Sequence, residues 1–119
     1  MSKGIYVHPL TPRLAPTECP TIRDIIWAAG FYEGEGTCGH NGGHSCQVGI
    51  TQKDAWTLRR MQALFGGGVG EQGRRGCFQW HISGARARGF LMTIYGLLSP
   101  RRQAQIRAAL DGIPASMIR

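Results

Sequence analysis

Lysine is nearly absent from this chain of 119 residues: Lys3 and Lys53 are its only two, so its fourteen basic residues are mostly arginine. Acidic residues number only seven, which leaves a net charge of +7 and a pI near 9.9. That imbalance favours a polyanionic partner, because each neutralised phosphate releases counterions. No apolar run approaches the ~20 residues needed to cross a bilayer, so no membrane-spanning helix and no membrane partner is expected. The first residues lack the apolar core of a secretory signal. Without such a signal, Cys19, Cys38, Cys46 and Cys77 read as reduced thiols rather than a disulfide framework. An intracellular location follows as the expectation, in bacterial or phage cytoplasm or in an organelle. No internal repeat of solenoid length is present.

A hydrophobic content of 42% with 8% aromatics suits one domain with a modest core. Residues 1–20 hold Pro9, Pro12, Pro16 and Pro20 without any periodic pattern and read as an extended proline-rich arm rather than a packed element. Residues 21–112 form the domain, and 113–119 a short tail. Thr21 followed by Asp24 is a capping signature for a first helix over 22–34. Asn41-Gly42-Gly43 marks the turn of a hairpin, and Asp54 caps a second helix in which Leu58, Met61 and Phe65 recur at helical spacing. A second hairpin is expected over 69–72 and 77–83, with Phe78, Trp80 and Ile82 apolar and Gln79 and His81 polar. Ser83 can cap a third helix carrying Phe90, Leu91, Ile94, Leu97 and Leu98, and Ser99-Pro100 opens a fourth. The order αββαββαα predicts an α+β fold: one antiparallel sheet with helices on its apolar face and a polar face left over.

One local rule is broken. The first helix ends in WAAGFYEGEG (Trp27–Gly36), with Glu33 and Glu35 at the C-terminus, where the helix dipole already disfavours negative charge. Such a conflict is a reason to look for a site there.

AAGFYEGEG (Ala28–Gly36) resembles the motif that names the LAGLIDADG homing endonucleases, with Glu at both Asp positions. ITQKD (Ile50–Asp54), LFGGGV (Leu64–Val69) and the W-x-I-S ending (Trp80–Ser83) follow in family order, so the resemblance covers about residues 22–110. One copy of the motif makes the chain similar to the single-motif, homodimeric members. The resemblance implies the αββαββα homing-endonuclease fold with a saddle-shaped sheet, and a site-specific, metal-dependent double-strand endonuclease. The cofactor implied is Mg²⁺ or Mn²⁺, and the partners are double-stranded DNA, a second copy of the chain and, for the maturases of this fold, intron RNA. Glu35 matches the metal-binding carboxylate, with the Gly34 carbonyl beside it, and Gln52 matches a residue that positions catalytic water. A basic catalytic residue near the start of the last helix would fall on Pro100, Arg101 or Arg102, and the sequence departs from the family there. The hairpin around Asn41–Gly43 is shorter than in many members, which would reduce its reach along the groove. A non-catalytic nucleic-acid-binding protein of the same fold, a maturase or regulator, is the alternative.

The residues themselves allow a physical account of that match. Unpaired carbonyls gather at a helix C-terminus, and a carboxylate among them makes a set of hard oxygen donors suited to Mg²⁺. Glu33 and Glu35 lie about 200° apart around an ideal helix, so only one can face a given phosphate. Glu35 is assigned to the metal and Glu33 to structural hydrogen bonds. Gly30 and Gly34, four residues apart, would let two copies of the helix approach closely. Thr37, Asn41, Ser45, Gln47, Arg74, Gln79 and His81 are expected on the polar face as base or phosphate contacts, joined by Lys53 and Arg75. Cys38, His40, His44 and Cys46 share parity around the first turn. They supply either four ligands for a structural zinc or ordinary buried thiols, since Val48 and Ile50 share their side.

Overall fold

The first helix begins at a reciprocal capping box. The Thr21 hydroxyl accepts from the Asp24 N–H at 3.2 Å, and the Asp24 carboxylate accepts from the Thr21 N–H at 2.9 Å. In the computed structural model, which describes residues 13–40, 45–71 and 76–112, helix α1 spans Ile22–Glu35, one residue beyond the expected end. Strand β1 (Gly36–His40) follows directly, then β2 (Cys46–Gln52), α2 (Ala55–Phe65), β3 (Gly68–Glu71), β4 (Phe78–Ser83) and α3 (Gly84–Ile94). A single 3-10 turn over Tyr95–Leu97 precedes α4 (Pro100–Leu110). Residues 1–12, Asn41, His44, Arg74, Arg75 and the tail 113–119 lie outside the described residues.

The four strands form one antiparallel sheet in the order β1-β2-β4-β3. Its registers, Val48 opposite Ile82 and Ile50 opposite Trp80, align the apolar positions on one face. There they meet the helices: Val48, Ile50, Trp80 and Ile82 share a core with Ala28, Tyr32, Leu58, Met61, Phe90, Leu91, Ile94 and Ile106. The Phe90 ring stands edge-on to Trp80, Tyr32 and Phe65, with centroids 5.3, 6.0 and 4.9 Å away, and so ties α3 to β4, α1 and α2.

Two sequence expectations change in detail. Ser83 stands at the N-cap of α3 but makes no side-chain cap bond. Leu97, placed on the apolar stripe of α3 together with Leu98, is exposed, because the 3-10 turn shifts the phase, while Leu98 is buried as expected.

The arm also differs from the free segment expected. Leu14 pairs with Gly67 in an antiparallel bridge, exchanging N–H···O bonds of 2.9 and 2.8 Å. Further on, the N–H groups of Thr17 and Glu18 both donate to the Ala63 carbonyl at the end of α2. Arg60 then binds both Glu18, at 2.7 Å, and Asp24, at 3.1 Å. Residues 13–20 therefore strap the outer edge of β3 to the starts of α1 and the end of α2.

Gly67 sits at the crossing of these contacts. Its φ of +97° disfavours any L side chain, and a Cβ there would collide with the His81 carbonyl and with Ile82 Cγ2. Gly67→Ala should cost about 2–4 kcal/mol of folding stability, from strain and overpacking together. Urea unfolding would measure this, and a loss below about 0.5 kcal/mol would contradict the close packing described.

Candidate metal centre and nucleic-acid face

The end of α1 is held from several sides. The Gly36 N–H donates to the Tyr32 carbonyl, and the Tyr32 ring lies so close over Gly36 that a Cβ there would collide with it. Only glycine lets the helix run straight into β1 without a loop. Glu33 leaves the helix toward α4. Its two carboxylate oxygens accept from the N–H and the hydroxyl of Ser99, at 2.9 and 2.8 Å. Those bonds, helped by the nearby charges of Arg102 and Arg101, hold its carboxyl below the usual range. Ser99 Oγ also accepts from the Arg102 N–H, so Glu33 and the α4 cap form one unit.

Glu35, on the other side of the helix, is exposed and has no hydrogen-bond or ion-pair partner among the described residues. Gly34, whose carbonyl would join it, is exposed as well. Gln52 lies at the same end of the β1–β2 pair, two residues beyond Ile50, the partner of Gly36. It shares parity with Ile50, so its side chain leaves the sheet on the helix side. Lys53 follows, exposed.

Of the basic candidates on α4, Arg101 is exposed and Arg102 is half-buried in a structural role. Arg102 Nε donates to the Glu33 carbonyl at 3.1 Å, one amino group donates to Gln105, and the guanidinium lies 5.5 Å from the Tyr32 ring centre. It ties α4 to the end of α1.

Thr37, Gln47, Gln79 and His81 lie on the helix-free face of the sheet, as parity requires, and Ser45 precedes β2 on the same parity. Thr37 is exposed, its hydroxyl donating across to the Gly49 carbonyl at 3.2 Å, and Ser45 and Gln47 are half-buried. The expectation that Gln79 and His81 stand free on this face is corrected: they are only 5% and 4% exposed. Both are on β4, an interior strand flanked by β2 and β3, and His81 Nε2 is buried without a hydrogen-bond partner. Burial, and then the charge of Arg13, push its pKa down to about 4. Arg13 was not among the sequence candidates, because nothing in a proline-rich arm marks where it will dock.

Cys38 and Cys46 are free thiols, raised by burial, Cys46 to about 11. His40 is half-buried beside Gly112, and among the described residues no group of three or more His, Cys, Asp or Glu could hold a metal.

A second surface lies along α1. Ile22, Ile26, Gly30 and Gly34 recur every four residues on the side away from the core, with Ile22 72% and Ile26 55% exposed. A Cβ added to either glycine would meet nothing within 4 Å, so nothing among the described residues packs there.

No family model and no curated protein matches this chain. Its fold matches that of the homing endonuclease I-CvuI in two crystal structures. One, in complex with its target Sro1.3 in the presence of Ca, has a TM-score of 0.64 at 16% identity. The other, in complex with the I-CreI target C1221 in the presence of Mg and with its DNA not cleaved, has a TM-score of 0.63 at 16% identity. Each match covers 75% of this chain and 64% of I-CvuI, so the chain accounts for somewhat less than two thirds of that protein's length. The shared fold supports the resemblance to the LAGLIDADG homing endonucleases.

The depressed His81 has a consequence for stability. Its folded pKa of about 4 lies below the unfolded value of 6.5, so the unfolded chain binds more protons between those limits. Stability from neutral His81 is complete above about pH 6.5 and falls, by up to about 3 kcal/mol, as pH drops toward 4. Urea unfolding across this range should show the loss, and His81→Gln should flatten it; an unchanged slope would remove His81 as the cause.

Proposed function

We propose that the chain is a homodimeric, divalent-metal-dependent endonuclease that hydrolyses both strands of a long, pseudo-palindromic site in double-stranded DNA. The observation that carries this reading is the contrast between the two motif glutamates. Glu33 is engaged with Ser99, while Glu35 is exposed at the end of the same helix without a partner among the described residues. A lone carboxylate at a helix C-terminus is electrostatically unfavourable, and a bound cation would reverse that.

The donors fit such an ion. Glu35 and the Gly34 carbonyl are hard oxygen ligands of the kind Mg²⁺ or Mn²⁺ takes, with the remaining positions left to water and phosphate. A divalent ion there supplies Lewis-acid stabilisation of charge on the phosphate and lowers the pKa of water. The chain's own residues do the positioning. The Glu33–Ser99 bonds and Arg102 fix the end of α1, and with it the direction of Glu35. Gln52 approaches from β2 as a donor and acceptor able to orient water. Arg101, exposed on the first turn of α4, and Lys53 offer positive charge to the DNA backbone. On the helix-free face Thr37 and Gln47 are placed to contact bases.

Two copies are required because one chain provides one such centre, and double-strand cleavage needs two. The exposed Ile22, Ile26, Gly30 and Gly34 face fits a second copy of α1 across a two-fold axis.

One observation favours a second reading. Arg102 is committed to the Glu33 carbonyl and the Tyr32 ring, leaving Arg101 as the exposed arginine at the start of α4. Arg102, one of the arginines at the position of the basic catalytic residue, is thus taken up structurally, as a protein of this fold that binds DNA or intron RNA without cutting would allow.

Incubation with a plasmid carrying the presumed insertion site, in Mg²⁺ or in EDTA, separates the two readings. Glu35→Gln should abolish cleavage while leaving DNA affinity equal or tighter, since repulsion from phosphate is relieved. Glu33→Gln, which keeps an oxygen acceptor for Ser99, should retain metal-dependent cleavage. The reverse pattern would move the metal to Glu33, and a wild-type protein that binds its site but never cuts it would establish the non-catalytic reading.

Gly30→Leu should raise the helix propensity of α1 by about 1 kcal/mol within one chain, yet weaken association by forcing the two helices apart. Sedimentation with and without DNA would detect it. Wild-type association in the variant would rule this face out as the interface.

A further inference from the structure

The strap meets the sheet at one isolated bridge. Leu14 and Gly67 form it, antiparallel and closed by two backbone bonds, immediately before β3. The Leu14 carbonyl accepts a further bond from Arg86 at 3.0 Å, which fixes this register. Arg13 precedes Leu14 in the chain, and Gly68 follows Gly67. Gly68 pairs with His81, His81 with Gly49, and Gly49 with Thr37. Directly opposed residues send their side chains to the same face, so His81 and Thr37 share a row on the helix-free face, separated by Gly49 and ending at Gly68, next to the bridge that Arg13 adjoins. The effect of the Arg13 charge on His81 agrees with this placement, because Gly68 puts no side chain between them.

We infer that Arg13 is a nucleic-acid contact, placed near the end of this row by the Leu14–Gly67 bridge to bind a phosphate of the duplex. The inference rests on the reading of the helix-free face as the nucleic-acid surface. Arg13 is exposed and makes no ion pair among the described residues. His81, which feels the Arg13 charge, is neutral at physiological pH, so Arg13 is the cation of the two. An arginine presented at a sheet edge is suited to a phosphate, with its fixed fork of donors.

The test is a salt titration of affinity for a double-stranded DNA duplex, by fluorescence anisotropy, with the full-length chain and three variants. Arg13→Ala should reduce the slope of log K against log salt by about one and weaken binding about eightfold at 0.1 M salt. Arg13→Lys should keep the slope. Arg59→Ala, the same change in charge on α2, should leave it unaltered. Equal melting temperatures would establish that Arg13→Ala is folded, since its side chain holds no structural bond among the described residues.

Three results would overturn the inference while leaving the nucleic-acid reading intact: a wild-type slope in Arg13→Ala, an equal loss in Arg59→Ala, or weaker binding without a change in slope. If the wild-type protein itself shows no salt-dependent binding, the nucleic-acid reading falls first, and this inference with it.

Discussion

The direct passage from α1 into β1 is the constraint on which the rest of the structure depends. A helix normally leaves its last carbonyls to solvent and needs a loop to redirect the chain. Here the Tyr32 ring presses on Gly36, and the chain turns into the sheet within one residue. Arg102 takes the Glu33 carbonyl, and Ser99 takes the Glu33 carboxylate. These contacts tie α1, β1 and α4 together at the point where Glu35 emerges. A carboxylate on a free loop would sample many directions; Glu35 is confined by its neighbours on either side.

Arginine recurs at these junctions in a structural capacity. Arg60 joins the strap to α1 through Glu18 and Asp24, Arg86 holds the strap through Leu14, Arg88 donates to the Leu110 carbonyl, and Arg102 caps α1. Four of the twelve arginines thus serve as clamps through their multiple donors, a task for which a lysine's single ammonium is less suited. The net charge remains, so the same residues contribute to the field that attracts a polyanion even where they touch none.

Much of the fold was legible in the sequence because local chemistry and long-range packing agree. Thr21 with Asp24, Asp54, and Ser99-Pro100 each start a helix where they were expected to, and the alternation of Val48 with Ile50 and of Trp80 with Ile82 selects the buried face. The site was less legible. Parity sorted Gln79 and His81 to the helix-free face correctly, but parity carries no information on how deeply a central strand is covered. Leu97 fell off its stripe because a 3-10 turn changes the angular step between side chains. Glu33 and Glu35 could be told apart by angle, yet which partner would satisfy Glu33 depended on Ser99, 66 residues away.

By itself the sequence determined the order of elements, the apolar pattern of the sheet and the helix-terminal pair of glutamates, since periodicity, caps and turn residues act over a few neighbouring positions. Only the tertiary structure decided that Arg102 is engaged with α1, that His81 is buried and neutral, and that Leu14, next to Arg13, bridges to Gly67. Each of those depends on a contact between segments distant in the chain. The Leu14–Gly67 bridge joins residues 53 positions apart through backbone atoms alone, which carry no side-chain signature for a pattern to reveal.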